Sequence, residues 1–291
     1  MKAPPFGYVR ANSMDHAFRL LAEYGEGSKV LAGGQSLLAT LAFRLSEPSL
    51  LIDISRLSEL AGITRQDDFV RVGAGTTHTM LGRDSLIQAH VPLLNDAVPY
   101  IAHTAIRNRG TIGGALAFAD PAAELPACCV ALDATIIAGS SRGERRIRAS
   151  AFFVGLFVTA LEPDEIIIAV EFPVVRTDER SVLMEIARRS GDYAMAGVAL
   201  WARVDGLVLH APRVVFFGVD DRPVLASGAG TALDGKRADA ATVELAQTAL
   251  DRDLDPPGDQ HGGPALKRQL ARTLLARAVA QILTQDKVAR A

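Results

Sequence analysis

Two short stretches constrain this chain more than any other feature: Ala32-Gly33-Gly34-Gln35-Ser36 and Thr111-Ile112-Gly113-Gly114. Each sets two adjacent glycines beside an apolar run of strand character, the first directly after Lys29-Val30-Leu31. Adjacent glycines reach backbone conformations closed to other residues and let a ligand approach the main chain. Successive N–H groups in such turns can converge on an anion, and Ser36 and Thr111 add hydroxyl donors. Two loops of this kind suit the two phosphates of one dinucleotide, held from opposite sides. Each loop alone also reads as an ordinary turn. Neither follows GxGxxG, and neither ends in the GK[ST] of a P-loop.

The surrounding pattern places the first loop. Ser13 is a candidate N-cap for a helix from Met14, because Ala17, Leu20, Leu21 and Tyr24 recur with helical spacing. Residues 29–32 predict a strand, 36–44 a helix and 50–54 a second strand. Strand, glycine turn, helix, strand is a βαβ unit suited to a parallel sheet, and the helix dipole would add to an anion site at its start. From Ser55 to Val175 the pattern predicts strands over 69–72, 132–138, 145–148 and 166–172, with helices over 79–89 and 92–103. From Arg176 it predicts three antiparallel strands over 182–188, 198–204 and 207–219, then helices over 222–233, 240–250 and 264–283. Leu266, Leu270 and Leu274 recur every four residues, which reads as core packing or as a contact face for a partner.

Charge and cysteine usage narrow the function. With 31 basic and 33 acidic residues, the balance argues against a nucleic-acid or membrane-surface role. The N-terminal MKAPPFGYVR lacks the continuous apolar core of a secretory leader. No run is apolar enough for a membrane span, so a soluble, cytoplasmic chain is expected. The two cysteines, Cys128 and Cys129, are neighbours in an apolar run. They cannot build a four-thiolate iron–sulfur site or a typical zinc site and are expected as buried core residues.

Four further segments accompany the loops: Leu41-Ala42-Phe43-Arg44-Leu45 after the first, IRNRGTIGGALAFADPAAELPA over 106–127 around the second, LEPDEII over 161–167 and RRSGDYA over 188–194. This set, in this order, closely resembles the FAD-binding medium subunit of molybdenum hydroxylases, the family of aerobic carbon monoxide dehydrogenase and xanthine dehydrogenase. The resemblance runs from Pro5 to about Leu283. It implies an α+β fold: a two-part FAD-binding domain of the PCMH/vanillyl-alcohol-oxidase type over 1–55 and 56–175, then a C-terminal α+β domain over 176–291 with a three-stranded antiparallel sheet and helices. It also implies non-covalent FAD on this chain, which carries no recognisable attachment motif. A molybdopterin centre would sit on a large partner subunit and [2Fe–2S] clusters on a small one, in a dimer of heterotrimers. This chain would then relay electrons from the clusters to an external acceptor and would not act on substrate alone. A stand-alone FAD oxidoreductase of the same fold superfamily and a non-catalytic assembly module are the alternatives.

Flavin carries the redox chemistry and the protein positions it, so the residues of interest are binders. The resemblance assigns Lys29, Val30, Leu31, Ala32, Gly33, Gly34, Gln35 and Ser36, together with Thr111, Ile112, Gly113, Gly114 and Ala115, to the pyrophosphate and nearby FAD atoms. It adds Ile101 and Ala102 to the cofactor-binding set. Glu124 falls where many relatives carry an aspartate that bonds a ribose or adenine group; Asp120, nearer the loop, is the rival, and either also reads as a turn carboxylate beside Pro121. Leu161 and Ile166 match the segment against the isoalloxazine ring. Tyr193 matches the residue covering one flavin face, and Asp192 is the carboxylate of its motif. The sequence departs from relatives at Gln35 (histidine in some), Ala115 (asparagine), Phe118 (histidine) and Met184-Glu185 (a lysine beside the flavin). The last departure counts against NAD as electron acceptor. The histidines lack metal-ligand spacing and read as structural or surface, with His103 the one considered near FAD.

Overall fold

The computed structural model describes residues 2–259 and 262–285; the last six residues of the 176–291 unit lie outside them. The chain starts with a three-stranded parallel sheet. Strands β1 (Gly7–Arg10), β2 (Ser28–Leu31) and β3 (Leu50–Asp53) lie in the order β1-β3-β2. Helix α1 (Met14–Tyr24) buries Ala17, Phe18 and Leu21, and the Ser13 hydroxyl accepts from the His16 N–H at 3.1 Å. This is the cap expected from sequence. The predicted βαβ unit is present as β2, α2 (Leu37–Ala42) and β3. The helix is shorter than the pattern suggested: Arg44 turns to a positive φ of 57°, and Phe43 and Leu45 stand exposed.

The middle of the chain forms a five-stranded antiparallel sheet from β4 (Ile63–Gln66), β5 (Phe69–Gly73), β6 (Thr135–Ser140), β7 (Gly143–Arg148) and β10 (Ile166–Pro173). Its order is β4-β5-β10-β6-β7, with β10 central. A short hairpin, β8 (Phe153–Gly155) and β9 (Val158–Thr159), follows α9 (Ala149–Phe152). Between β5 and β6 run α3 (His78–Arg83), α4 (Ser85–His90), α5 (Pro92–Ala97), α6 (Thr104–Arg107), α7 (Ile112–Phe118) and α8 (Glu124–Ala131). The single helix expected over 79–89 is two, because the Asp84 carboxylate accepts from the N–H groups of Leu86 and Ile87 and starts a new helix. The helix expected over 92–103 ends at Ala97, and Ala102 takes a positive φ of 39°. Helix α8 is buried along its whole length, with Cys128 and Cys129 fully enclosed, as the sequence led us to expect.

The last part is an antiparallel sheet of β11 (Glu179–Ile186), β12 (Ala196–Asp205), β13 (Val208–Phe217) and the two-residue β14 (Val224–Leu225). The three long strands are those predicted; β14 takes the beginning of the segment read as helix over 222–233. Helices α10 (Ser227–Leu233), α11 (Ala240–Asp253) and α12 (Pro264–Thr284) share one core with this sheet. Along α12, Leu274 is buried, Leu270 packs partly against the core and Leu266 is exposed. The Arg213 guanidinium on β13 donates to the carbonyls of Val130 (2.7 Å) and Ala131 (3.0 Å), capping the end of α8. Among the described residues no helix is long and apolar enough to cross a membrane.

Candidate functional site

The C-terminal ends of the parallel strands, the second loop and the GDY segment enclose one cavity of about 1420 Å³. That exceeds the roughly 300–1,000 Å³ of an ordinary small-ligand pocket and suits an extended dinucleotide. Every residue nominated from sequence lines it except Ile112, whose side chain is fully buried in the hydrophobic core packed on the five-stranded sheet.

The two glycine loops have different jobs. In the first, the backbone N–H groups of Gly33, Gly34, Gln35 and Ser36 donate to no protein acceptor among the described residues. Gly34 holds a φ of 73°, which turns the chain, and the Gln35 side-chain amide folds back onto the Gly33 carbonyl at 2.9 Å. A run of free donors on a cavity wall is what a pyrophosphate needs. In the second loop the amides are already used. Ile112 N–H donates to the Thr76 carbonyl (3.0 Å), Gly113 N–H to Ala74 (2.9 Å) and Gly114 N–H to the Thr111 hydroxyl oxygen (3.1 Å). That leaves Thr111 its own N–H and its hydroxyl proton. The first loop therefore presents free amides, whereas the second spends its amides on the chain itself and presents the Thr111 hydroxyl.

One glycine in each loop also serves close packing. A Cβ on Gly33 would lie 2.8 Å from the Arg109 carbonyl carbon, and one on Gly113 would lie 2.8 Å from the Ala74 carbonyl oxygen. Both glycines exist to let backbone meet backbone. A Cβ on Gly114 would meet only the Thr111 hydroxyl at 3.0 Å and the Ala32 methyl at 3.9 Å.

Carboxylates line the far wall. Glu124 opens α8 and is nine-tenths buried. Burial, with some help from Asp120, pushes its carboxyl up to about 7. A group that is part protonated at neutral pH can both donate to and accept from a sugar hydroxyl. Asp120 is also raised by burial, although its carboxylate accepts from the Ala122 N–H at 2.9 Å. Glu185 is raised to about 8, first by burial and then by Glu124, and one of its oxygens is enclosed without a partner. It does not line the cavity.

The LEPDEII segment is fixed by an ion pair that spacing alone did not reveal. The Arg145 guanidinium grips Glu165 through two bonds, of 2.6 and 2.7 Å, and Glu165 also accepts from the Glu162 N–H at 2.8 Å. This two-point grip sets the turn that presents Leu161 and Ile166 to the cavity. In the GDY segment, Gly191 has a φ of 83°, and a Cβ there would lie 3.1 Å from the Ala102 carbonyl oxygen. The motif is thereby seated on the 101–103 turn, with Tyr193 63% exposed at the cavity edge. His103 touches Gly191 but does not line the cavity. Sequence reading missed His78 and Phe157 in the wall. Phe157 meets Phe118 edge-on at 5.2 Å, a pairing with no signal in local spacing.

Residues 4–175 match the family described as the FAD binding domain in molybdopterin dehydrogenase, and residues 181–282 match the CO dehydrogenase flavoprotein C-terminal domain. The chain is 40% identical over 285 residues to the alpha subunit of the 6-hydroxypseudooxynicotine dehydrogenase complex of Paenarthrobacter nicotinovorans, covering 97% of this chain and 96% of that one. It is 33% identical to the carbon monoxide dehydrogenase medium chain of Hydrogenophaga pseudoflava, covering 96% and 97%. Among solved structures it resembles carbon monoxide dehydrogenase from Hydrogenophaga pseudoflava (TM-score 0.94, 33% identity, covering 97% and 98%). It also resembles quinoline 2-oxidoreductase from Pseudomonas putida 86 (TM-score 0.92, 36% identity, covering 97% and 98%). By both matched segments and by these relatives, the chain belongs to the FAD-binding medium subunits of the molybdopterin dehydrogenase and CO dehydrogenase flavoprotein family.

Proposed function

We propose that this chain is the FAD-carrying electron-transfer subunit of a heterotrimeric molybdenum hydroxylase. The observation that carries this reading is the run of free amides from Gly33 to Ser36 on the wall of a dinucleotide-sized cavity. Hydrogen bonds to a charged acceptor contribute roughly 1.5–3 kcal/mol each, so several such donors suffice for a non-covalent cofactor. The Thr111 hydroxyl adds a donor from the opposite loop. Glu124 offers a sugar contact, with Asp120 the alternative carboxylate. Leu161 and Ile166 give an apolar wall for the ring, and Tyr193 covers its exposed side. Bound FAD supplies the redox chemistry, taking electrons and passing them on.

Residues 1–55 and 56–175 are read as the two parts of the FAD-binding domain, and 176–291 as the C-terminal domain. The partners implied are a small subunit with [2Fe–2S] clusters and a large molybdopterin subunit, assembled as a dimer of heterotrimers in the cytoplasm. The named relatives act on different substrates: 6-hydroxypseudooxynicotine, carbon monoxide and quinoline. Such spread is expected if substrate chemistry belongs to the large subunit. The test is twofold. Acid precipitation of the purified chain should release free FAD into the supernatant, and co-expression with its two partners should yield dye-linked dehydrogenase activity that the chain alone lacks. A chain that takes up no flavin, or that oxidises substrate by itself, would overturn the reading.

A further inference from the structure

The β8–β9 hairpin carries an unexpected residue at its tip. Gly155 pairs with Val158, so Leu156 and Phe157 alone make the turn. Of the two, only Phe157 takes a positive φ, of 55°. A left-handed residue at the second position of a tight turn favours glycine or asparagine. A bulky aromatic there is an outlier that the surrounding structure must hold in place, and such outliers cluster at ligand clamps and active sites. Burial does not compensate for this one: the Phe157 side chain stays half exposed, and it lines the dinucleotide cavity. The hairpin is fastened from outside the cavity. The Arg222 guanidinium donates to the Val154 carbonyl at 2.8 Å, and the Ala160 N–H donates to the Phe152 carbonyl at 2.8 Å.

We propose that the Phe157 ring, braced edge-on by Phe118, packs against the isoalloxazine ring of bound FAD at the Tyr193 end of the cavity. The inference rests on the FAD reading above and extends it to a residue that no motif nominated. Position selects this end. Phe118 is the last residue of α7, and Ala119 turns the chain directly after it with a φ of 52°. Asp120 follows, and it lies within electrostatic reach of the Tyr193 phenol. Phe118, Asp120 and Tyr193 all line the cavity, as does Leu161 a few residues beyond Phe157. Chemistry fits as well. A flat, conjugated ring offers an aromatic side chain both apolar area and a favourable edge or face contact. The strained turn then has a function: it holds an aromatic side chain at the cavity wall, where the glycine suited to that backbone would offer nothing.

The test uses the full chain stripped of flavin and then reloaded with FAD. Phe157→Gly removes the ring and suits the turn, and Phe157→Tyr keeps the ring. Phe157→Gly should weaken FAD binding about tenfold by fluorescence titration and shift the absorption band of the bound flavin. Phe157→Tyr should keep most of the affinity. The flavin-free melting temperature of Phe157→Gly should equal or exceed that of the parent, because glycine adopts a positive φ without strain. In the unmutated chain, the ring resonances of Phe157 should move on FAD addition, through the ring current of the flavin. That last readout stands even if a variant fails to fold. Unchanged affinity and band in a folded Phe157→Gly chain, or Phe157 resonances blind to FAD, would overturn the proposal while leaving the FAD reading intact. Weakened assembly with the partner subunits at unchanged FAD affinity would likewise overturn it and give the hairpin to a subunit contact. Failure of the unmutated chain to bind FAD would overturn both.

Discussion

Gly33 rests its α-carbon against the carbonyl of Arg109 with no space between them for a side chain. This one contact joins the donor loop of the parallel sheet to the chain entering the second loop. Gly113 repeats the device against Ala74, where an added Cβ would lie 3.0 Å from the neighbouring α-carbon. The four loop glycines are therefore unequal, and substitution should separate them.

Gly33→Ala should destabilise the flavin-free chain by about 1–3 kcal/mol, the usual cost of overpacking, and lower flavin content with it. Gly114→Ala should leave the melting temperature unchanged or slightly higher, because alanine favours the interior of a helix over glycine. Its crowding of the Thr111 hydroxyl should still reduce flavin retention. Thermal melts with flavin quantitation check both. Equal losses of stability in the two variants would contradict the assigned roles.

Tyr193→Ala should keep its FAD. The side chain is 63% exposed at the cavity edge, and such surface changes usually stay within about 0.5 kcal/mol of stability. The expected effect is on the ring itself: a shifted flavin absorption band and reduction potential. Spectroelectrochemistry decides the matter, and an unchanged spectrum and potential would remove Tyr193 from the ring.

Glu124 and Glu185 should make stability fall as the medium turns alkaline. Their ordinary value is 4.5, and in the folded chain they are raised to about 7 and about 8. Folding therefore binds protons that the unfolded chain releases. Stability should be highest below about 4.5 as far as these groups are concerned, and should decline until the pH passes about 8. Glu185→Gln removes the charge while keeping the shape, so its melting temperature should exceed that of the parent at pH 8.5 and match it at pH 5. A gain of equal size at both pH values would show that the carboxyl is not held protonated.

On α12, Leu274→Ala should cost about 2–5 kcal/mol, as for other buried leucines, whereas Leu266→Ser should cost almost nothing. If the exposed position is part of a partner contact, Leu266→Ser should weaken assembly of the complex without lowering the melting temperature of the chain. Size-exclusion mass measurement of the co-expressed subunits separates these outcomes.

The leucine stripe also shows where sequence reading loses its grip. A spacing of four overshoots a helical turn of 3.6 residues, so Leu266, Leu270 and Leu274 rotate around α12 from solvent into the core. The βαβ unit was readable because its strands are apolar and its turn is glycine. The long strands of the last sheet were readable for the same reason. Strand β1 was not, since Gly7–Arg10 is largely exposed and gains its identity only by pairing with β3. The loops were readable as loops but not as unlike partners. What distinguishes them is that Thr76 and Ala74, far upstream of the second loop, take its amides. His78 carries no spacing signal at all; burial alone makes it unusual. The Arg145–Glu165 pair joins residues twenty apart, one on β7 and the other just before β10, and local pattern cannot see that.

Arg213 gives the boundary between the two matched segments a different meaning. It belongs to the C-terminal segment, yet the carbonyls it caps, on Val130 and Ala131, end a helix of the N-terminal one. A chimera that exchanged residues 181–282 between relatives would trade away half of a helix cap. Wherever the incoming residue at 213 could not reach, the Ala131 carbonyl would lose this donor and the Val130 carbonyl would keep the Asp133 N–H at 3.2 Å. The seam between cofactor domain and C-terminal domain is thus a shared part rather than a cut line, and substitutions on its two sides are free to change only in step.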